Sequence, residues 1–85
     1  MAIKAEDLGA LLGRTVRFRK SSSDGKGHVY YEGVLEQNYL FKNMYTIYSP
    51  TVRQDRVKKK TTGSWVHIRI RDYEDGELAV VDRQA

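Results

Sequence analysis

The chain has no cysteine, a single proline, and no apolar run near the ~20 residues of a membrane span. Without cysteine there is no disulfide framework and no thiolate metal site. Its two histidines, His28 and His67, lie far apart, and neither has a second histidine at ligand spacing. No serine stands in a nucleophile-elbow pattern. The acids between Asp72 and Glu77 lack the spacing of a calcium loop. Gly25-Lys26 suggests a phosphate loop only until the next residue. Gly27 stands where a Ser or Thr is needed, and no glycine precedes at the Walker distance. The opening MAIKAEDLGALLGR has early acids and no apolar core, so it does not read as a signal peptide. These absences point to a chain that is not an enzyme, takes no cofactor or metal, avoids membranes and works in the cytoplasm.

What is present fits one small folded domain, residues 1–85. A chain this short buries only ~60–65% of the surface its unfolded form exposes, so the core is modest and a deep catalytic cleft is not expected. Hydrophobic residues make up 40% and aromatics 11%, mostly tyrosine, enough for a core that a disordered chain would lack.

Charge is unevenly spread. The net charge is +4, yet residues 51–71 alone hold Arg53, Arg56, Lys58, Lys59, Lys60, Arg69 and Arg71 against Asp55. The next stretch reverses sign, with Asp72, Glu74, Asp75, Glu77 and Asp82 against Arg83. A basic block of this kind suits an anionic partner; alternatively, the two blocks neutralise each other as neighbours.

Residues 4–12 read as a short helix. Leu8, Leu11 and Leu12 form one apolar stripe, and Gly13 is a suitable terminator. Alternation predicts strands over 15–20, 28–37 and 64–72, and β-forming residues between turn signals predict strands over 44–48, 51–59 and 78–81. Val16 and Phe18 face one way, Arg17 and Arg19 the other. Gly33 within the second strand marks a bend or bulge. Thr61-Thr62-Gly63 is the expected turn before the most regular strand. There Val66, Ile68 and Ile70 point inward, and Trp65, His67, Arg69 and Arg71 point outward. Glu74 to Glu77 reads as a solvated turn. Five or six short antiparallel strands with tight turns imply a mainly β fold, a small barrel with a short N-terminal helix at one end.

Leu12-Gly13-Arg14-Thr15-Val16-Arg17-Phe18, a polar loop and then Tyr31-Glu32-Gly33-Val34-Leu35 resemble the opening of SH3-like small barrels, Sm-like proteins included. In those, a short helix precedes a strand, and the next strand bends at a glycine before a Val-Leu pair. The resemblance covers residues 8–36 and implies the barrel. It implies neither a ring assembly nor an Sm-type RNA site, whose Asp and Asn are not matched by Gln37-Asn38-Tyr39. The size and lack of motifs are also similar to small accessory proteins of bacteria or their phages.

The expected function is therefore a non-catalytic binding module, with nucleic acid favoured. Arg53, Arg56, Lys58, Lys59, Lys60, Arg69 and Arg71 would meet phosphates, since clustered cations release condensed counterions. Trp65 and Tyr30 would stack bases, with His67 beside them. The competing expectation is a protein-protein module, such as a phage-type inhibitor of a host protein or an assembly subunit. Trp, Tyr and Arg also dominate interface hot spots. An acidic protein surface or a second copy of the chain would then be the partner, and Tyr39-Leu40-Phe41 would add apolar contact.

Overall fold

A computed structural model of the protein describes residues 3–21, 25, 27–54 and 56–81. Most of the polar loop expected over residues 21–27, together with Asp55, Asp82 and Arg83, lies outside the described residues.

The N-terminal segment Ala5–Leu11 is a 3₁₀ helix with Glu6 and Asp7 in its first turn. This tighter winding corrects the expected stripe. With three residues per turn, Leu8 and Leu11 eclipse one another and Leu12 rotates off the shared face. Leu8 is fully buried, whereas Leu12 is exposed. Gly13 takes φ +86 as the chain leaves the helix, and its N–H donates to the Leu35 carbonyl at 2.9 Å.

Seven antiparallel strands follow, more than the five or six expected. They are β1 Thr15–Ser21, β2 His28–Gln37, β3 Met44–Tyr48, β4 Thr51–Gln54, β5 Val57–Lys60, β6 Trp65–Arg69 and β7 Leu78–Val80. The sheet order is β5-β4-β2-β1-β7, with β3 off this path, pairing β2 and β6.

The long strand β2 sets this arrangement. One edge pairs with β1 from Thr15↔Val34 to Ser21↔His28. The other edge is divided. Val29 to Glu32 pair with β4, and Leu35 to Gln37 pair with β3. Between the two ladders, Tyr48-Ser49-Pro50 faces Gly33-Val34, so the β3–β4 side carries one extra residue. That is a bulge, which bends a strand and strengthens its twist. Ser49 sits at φ +50 within it, and Pro50 is buried.

The partner strand is interrupted at the same level. Tyr48 pairs Trp65, and Thr51 pairs Lys60, which leaves Thr61 to Ser64 opposite Ser49-Pro50. Ser49 N–H donates to the Ser64 carbonyl at 2.7 Å, and Thr61 Oγ1 donates to the Pro50 carbonyl at 2.7 Å. Two expectations are corrected here. The strand expected over 51–59 is two strands, because Gln54 pairs Val57 and the chain reverses between them. Thr61-Thr62-Gly63 is accordingly a kink within a long hairpin and not its turn.

The strand expected over 64–72 ends at Arg69, and Ile70–Asp72 forms a 3₁₀ turn. Ile70 N–H donates to the Asn43 carbonyl at 3.2 Å, and Tyr73 Oη donates to the Ile3 carbonyl at 2.6 Å. The first bond carries the β3–β6 pairing one residue past β6, and the second ties the following turn to the N-terminal segment.

The core gathers Leu8, Val16, Phe18, Leu35, Tyr45, Ile47, Val66, Ile68 and Leu78. Each large aliphatic or aromatic side chain removed from water here contributes about 1.5–3 kcal/mol before entropy is counted. Leu8 is the helix's fully buried contribution to this core. Among the described residues β6 pairs only β3 and β7 pairs only β1, so the sheet is open between them. No described helix is long and apolar enough to cross a membrane.

Candidate functional site

Directly paired residues of an antiparallel sheet point to the same face, so the registers show which side chains meet. On the face opposite the core, one row runs Lys58, Arg53, Tyr30, Arg19 across β5, β4, β2 and β1. The next row runs Lys60, Thr51, Glu32, Arg17. Ser21 and His28 form a third pair beyond Tyr30. Within these rows five basic groups share the face with one carboxylate, Glu32; Glu36 follows it on β2 beyond the bend, and Arg19 N–H donates to the Glu77 carbonyl at 2.8 Å on the β7 side.

Glu32 is engaged with Arg17 at 3.4 Å, from both Nε and Nη2. The pair is partly exposed, so it adds at most about 1 kcal/mol to stability. Its geometric effect is clearer, since it holds the Arg17 guanidinium over β2. Arg53 and Lys58 stand directly opposite each other, a like-charge pairing that disfavours the isolated sheet by a few tenths of a kcal/mol. A bound anion would relieve it.

Arg17, His28, Tyr30 and Arg53 together line a recess of about 360 Å³ on this face. His28 and Tyr30 meet edge to face with ring centroids 6.4 Å apart. Tyr30 sits half-buried between Arg19 on one side and Arg53 on the other.

The lysine run divides by strand alternation. Lys58 and Lys60 join the basic face, while Lys59 pairs Val52 and points to the opposite side. Arg56 is exposed where the chain reverses between β4 and β5. The tip and arm of this hairpin thus extend the basic face beyond β2.

The row expected from Trp65 to Arg71 stands apart. Trp65, His67 and Arg69 alternate outward on β6, paired with Tyr48, Thr46 and Met44. Arg71 leaves the row because it lies on the 3₁₀ turn, where it is exposed. Trp65, His67 and Arg69 border a second groove, of about 540 Å³, between β6 and the β1–β7 side. Phe18, Tyr31 and Tyr73 form part of its wall, with Lys20, Asp72 and Glu77 at its rim. The two depressions share no lining residue. Burial raises the Tyr73 hydroxyl above its ordinary value of 10.0, with Asp75 and Glu77 adding to the shift and hydrogen bonds to the Leu78 and Gly76 backbone opposing it.

A third feature joins the β2–β3 loop to β6. The buried Asn38 accepts from the backbone N–H of Leu40 at 2.9 Å and of Phe41 at 3.0 Å through Oδ1. Its Nδ2 donates to Thr46 Oγ1 at 3.0 Å, and Thr46 Oγ1 lies 3.0 Å from His67 Nδ1. Since Thr46 Oγ1 already accepts from Asn38, its own hydrogen is free to point at His67 Nδ1. The loop so held displays Tyr39, Leu40 and Phe41 at 82%, 68% and 54% exposure.

No family model, curated protein or solved structure matches the chain. Among the described residues no three His, Asp or Glu side chains come together as a metal site.

Arg17, Arg19 and His28 were missed as candidates, although the alternation of β1 puts Arg17 and Arg19 opposite the core residues Val16 and Phe18. What was missing was the neighbour. Only the β1–β2–β4 register brings those arginines beside Tyr30 and Arg53.

Proposed function

We propose that the protein is a non-catalytic nucleic-acid-binding module, and that it binds through the outward face of β1, β2, β4 and β5. The observation carrying this reading is the row Lys58-Arg53-Tyr30-Arg19, which alternates cations around an aromatic side chain across four strands. Cations in such a row neutralise phosphates, and each contact with a single strand contributes about −0.7 to the slope of log K against log salt. One contact for each of the five cations of the face corresponds to a slope of about −3.5. The strand order supports the companion reading of the fold as a small SH3-like barrel. Strands β7, β1, β2, β3 and β6 would be its staves, and the β4–β5 hairpin an arm that widens the basic face.

Fluorescence anisotropy with short labelled oligonucleotides tests the reading. Binding is expected at about 50 mM salt and should weaken steeply by about 200 mM. Arg53→Glu with Lys58→Glu should abolish it, while Arg69→Glu with Arg71→Glu should leave most of it. Absence of binding at low salt rejects the proposal; loss confined to the Arg69 and Arg71 variant moves the site to β6.

A protein-protein module is the second reading, and the loop held by Asn38 favours it. A loop that presents Tyr39, Leu40 and Phe41 in a set conformation has little ordering entropy left to lose on docking. Replacing all three by Ser should abolish retention of a protein partner in salt that strips nucleic acid. Retention unchanged by that replacement rejects it.

A further inference from the structure

We infer that the recess between Arg17, His28, Tyr30 and Arg53 seats one unpaired nucleotide, so that the basic face selects single strands over duplex. This rests on the nucleic-acid reading and deepens it. Three observations converge.

The recess is concave, and its volume of about 360 Å³ is near the lower end of the ~300–1,000 Å³ of small-ligand sites. Its chemistry is divided. Arg17 and Arg53 approach from opposite sides, on β1 and β4, while the rings of His28 and Tyr30 lie along β2 between them. That division matches a nucleotide, with a phosphate for the guanidinium groups and a base for the rings.

The third observation concerns what cannot enter. Duplex readers insert a helix or a ribbon into a groove, because paired bases expose only their edges. Tyr30 projects from a broad sheet face and is half-buried between its cross-strand neighbours Arg19 and Arg53, too wide a surface to enter a groove. It can reach only a base that has left its stack. Every base has a flat face, so this contact tolerates any sequence. Glu32 does not oppose the seat directly, because its carboxylate is turned to Arg17.

The test compares a labelled single-stranded oligonucleotide with a duplex of the same sequence by anisotropy. Wild-type protein, Tyr30→Leu and Tyr30→Phe are measured at matched salt. Single strand is expected to bind at least about tenfold more tightly than duplex. Tyr30→Leu should weaken single-strand binding by roughly 5- to 150-fold, with the salt slope unchanged because no cation is lost. Tyr30→Phe keeps the ring and should stay within about twofold of wild type. Ultraviolet cross-linking of the unaltered protein to single strand, followed by peptide mapping, should place the adduct on His28 or Tyr30. This arm holds even if the leucine variant fails to fold. Equal or tighter duplex binding, an unaffected leucine variant, or adducts confined to residues 65–71 overturn the inference. Duplex binding as tight as single-strand binding overturns it while leaving the nucleic-acid reading intact; binding to neither polymer rejects both.

Discussion

A methyl group on Gly33 would lie 2.6 Å from Ile47 Cγ2, closer than two carbon atoms can pack. Ile47 is fully buried in the core and pairs through Leu35 on the far side of the bend. Gly33 thus marks where β2 passes from one ladder to the other, and its missing side chain lets the core close under the bend. Pro50, at the bulge opposite, lies 3.8 Å from the same point.

Gly33→Ala is therefore expected to destabilise the fold by about 1–3 kcal/mol, the usual cost of overpacking a filled core. Urea unfolding followed by Trp65 fluorescence should show a lower midpoint with an unchanged slope. An unchanged midpoint would mean that the bend yields freely, and that it does not hold the two ladders in place.

This bend also marks the limit of what the sequence made legible. Alternation located β1 and β2 to within a residue, because Val16, Phe18 and Leu35 each bury one side of a strand; β3, whose burial covers both sides, was legible from its β-forming residues and the Ser49-Pro50 stop. It failed over residues 51–63. Val52 and Lys59 read as two positions of one strand, although they lie opposite each other across a hairpin. A reversal between Gln54 and Val57 carries no glycine or Asn-Gly signal, whereas Thr62-Gly63 does carry a turn signature and is used as a kink. The candidate site suffered from the same gap. Arg17 and Tyr30 each had a readable face, but periodicity contains no information on which strands are neighbours.

Asn38 supplies a prediction about the apolar loop. Its side chain meets the backbone of Leu40 and Phe41 and the hydroxyl of Thr46, all in a buried position. Asn38→Ala removes these partners together, and stranding buried polar groups costs about 1–3 kcal/mol. Hydrogen exchange should show faster exchange at the Leu40 and Phe41 amides than the global loss of stability accounts for. Asn38→Asp keeps the acceptor for both amides and should restore their protection in part. Equal acceleration across all core amides would argue that Asn38 acts only through global stability.

Glu32 is the carboxylate that stands within the rows of the basic face, so its charge should lower affinity for an anionic polymer. Glu32→Gln is expected to strengthen single-strand binding by a few-fold at low salt, with the gain shrinking as salt screens it. Stability should change by no more than about 1 kcal/mol, because the pair with Arg17 is partly exposed. Weaker binding in the variant would instead show that Glu32 positions Arg17, and that this outweighs its charge.

Tyr73 ties the N-terminal segment to the acidic turn, and it should make the fold sensitive to alkali. Its Oη donates to the Ile3 carbonyl at 2.6 Å and accepts from Leu78 N–H at 3.3 Å. Burial is the first cause of its raised pKa, with the charges of Asp75 and Glu77 acting in the same direction. In the unfolded chain the hydroxyl loses its proton near its ordinary value of 10.0, whereas the folded protein still holds it. Between the two values the native state binds more protons than the unfolded state, so stability falls as pH rises. The contribution is complete below the unfolded value and is lost as pH climbs through the folded one. Tyr73→Phe removes the proton and both hydrogen bonds. At neutral pH it should lower stability by about 1–3 kcal/mol, since Leu78 N–H loses its acceptor. Above pH 10.0 the gap between variant and wild type should narrow, because only the wild type has a phenol to ionise. Urea midpoints measured for both proteins across this range give the comparison. Parallel curves through the alkaline limb would show that Tyr73 ionises equally in both states and that other groups set the alkaline transition.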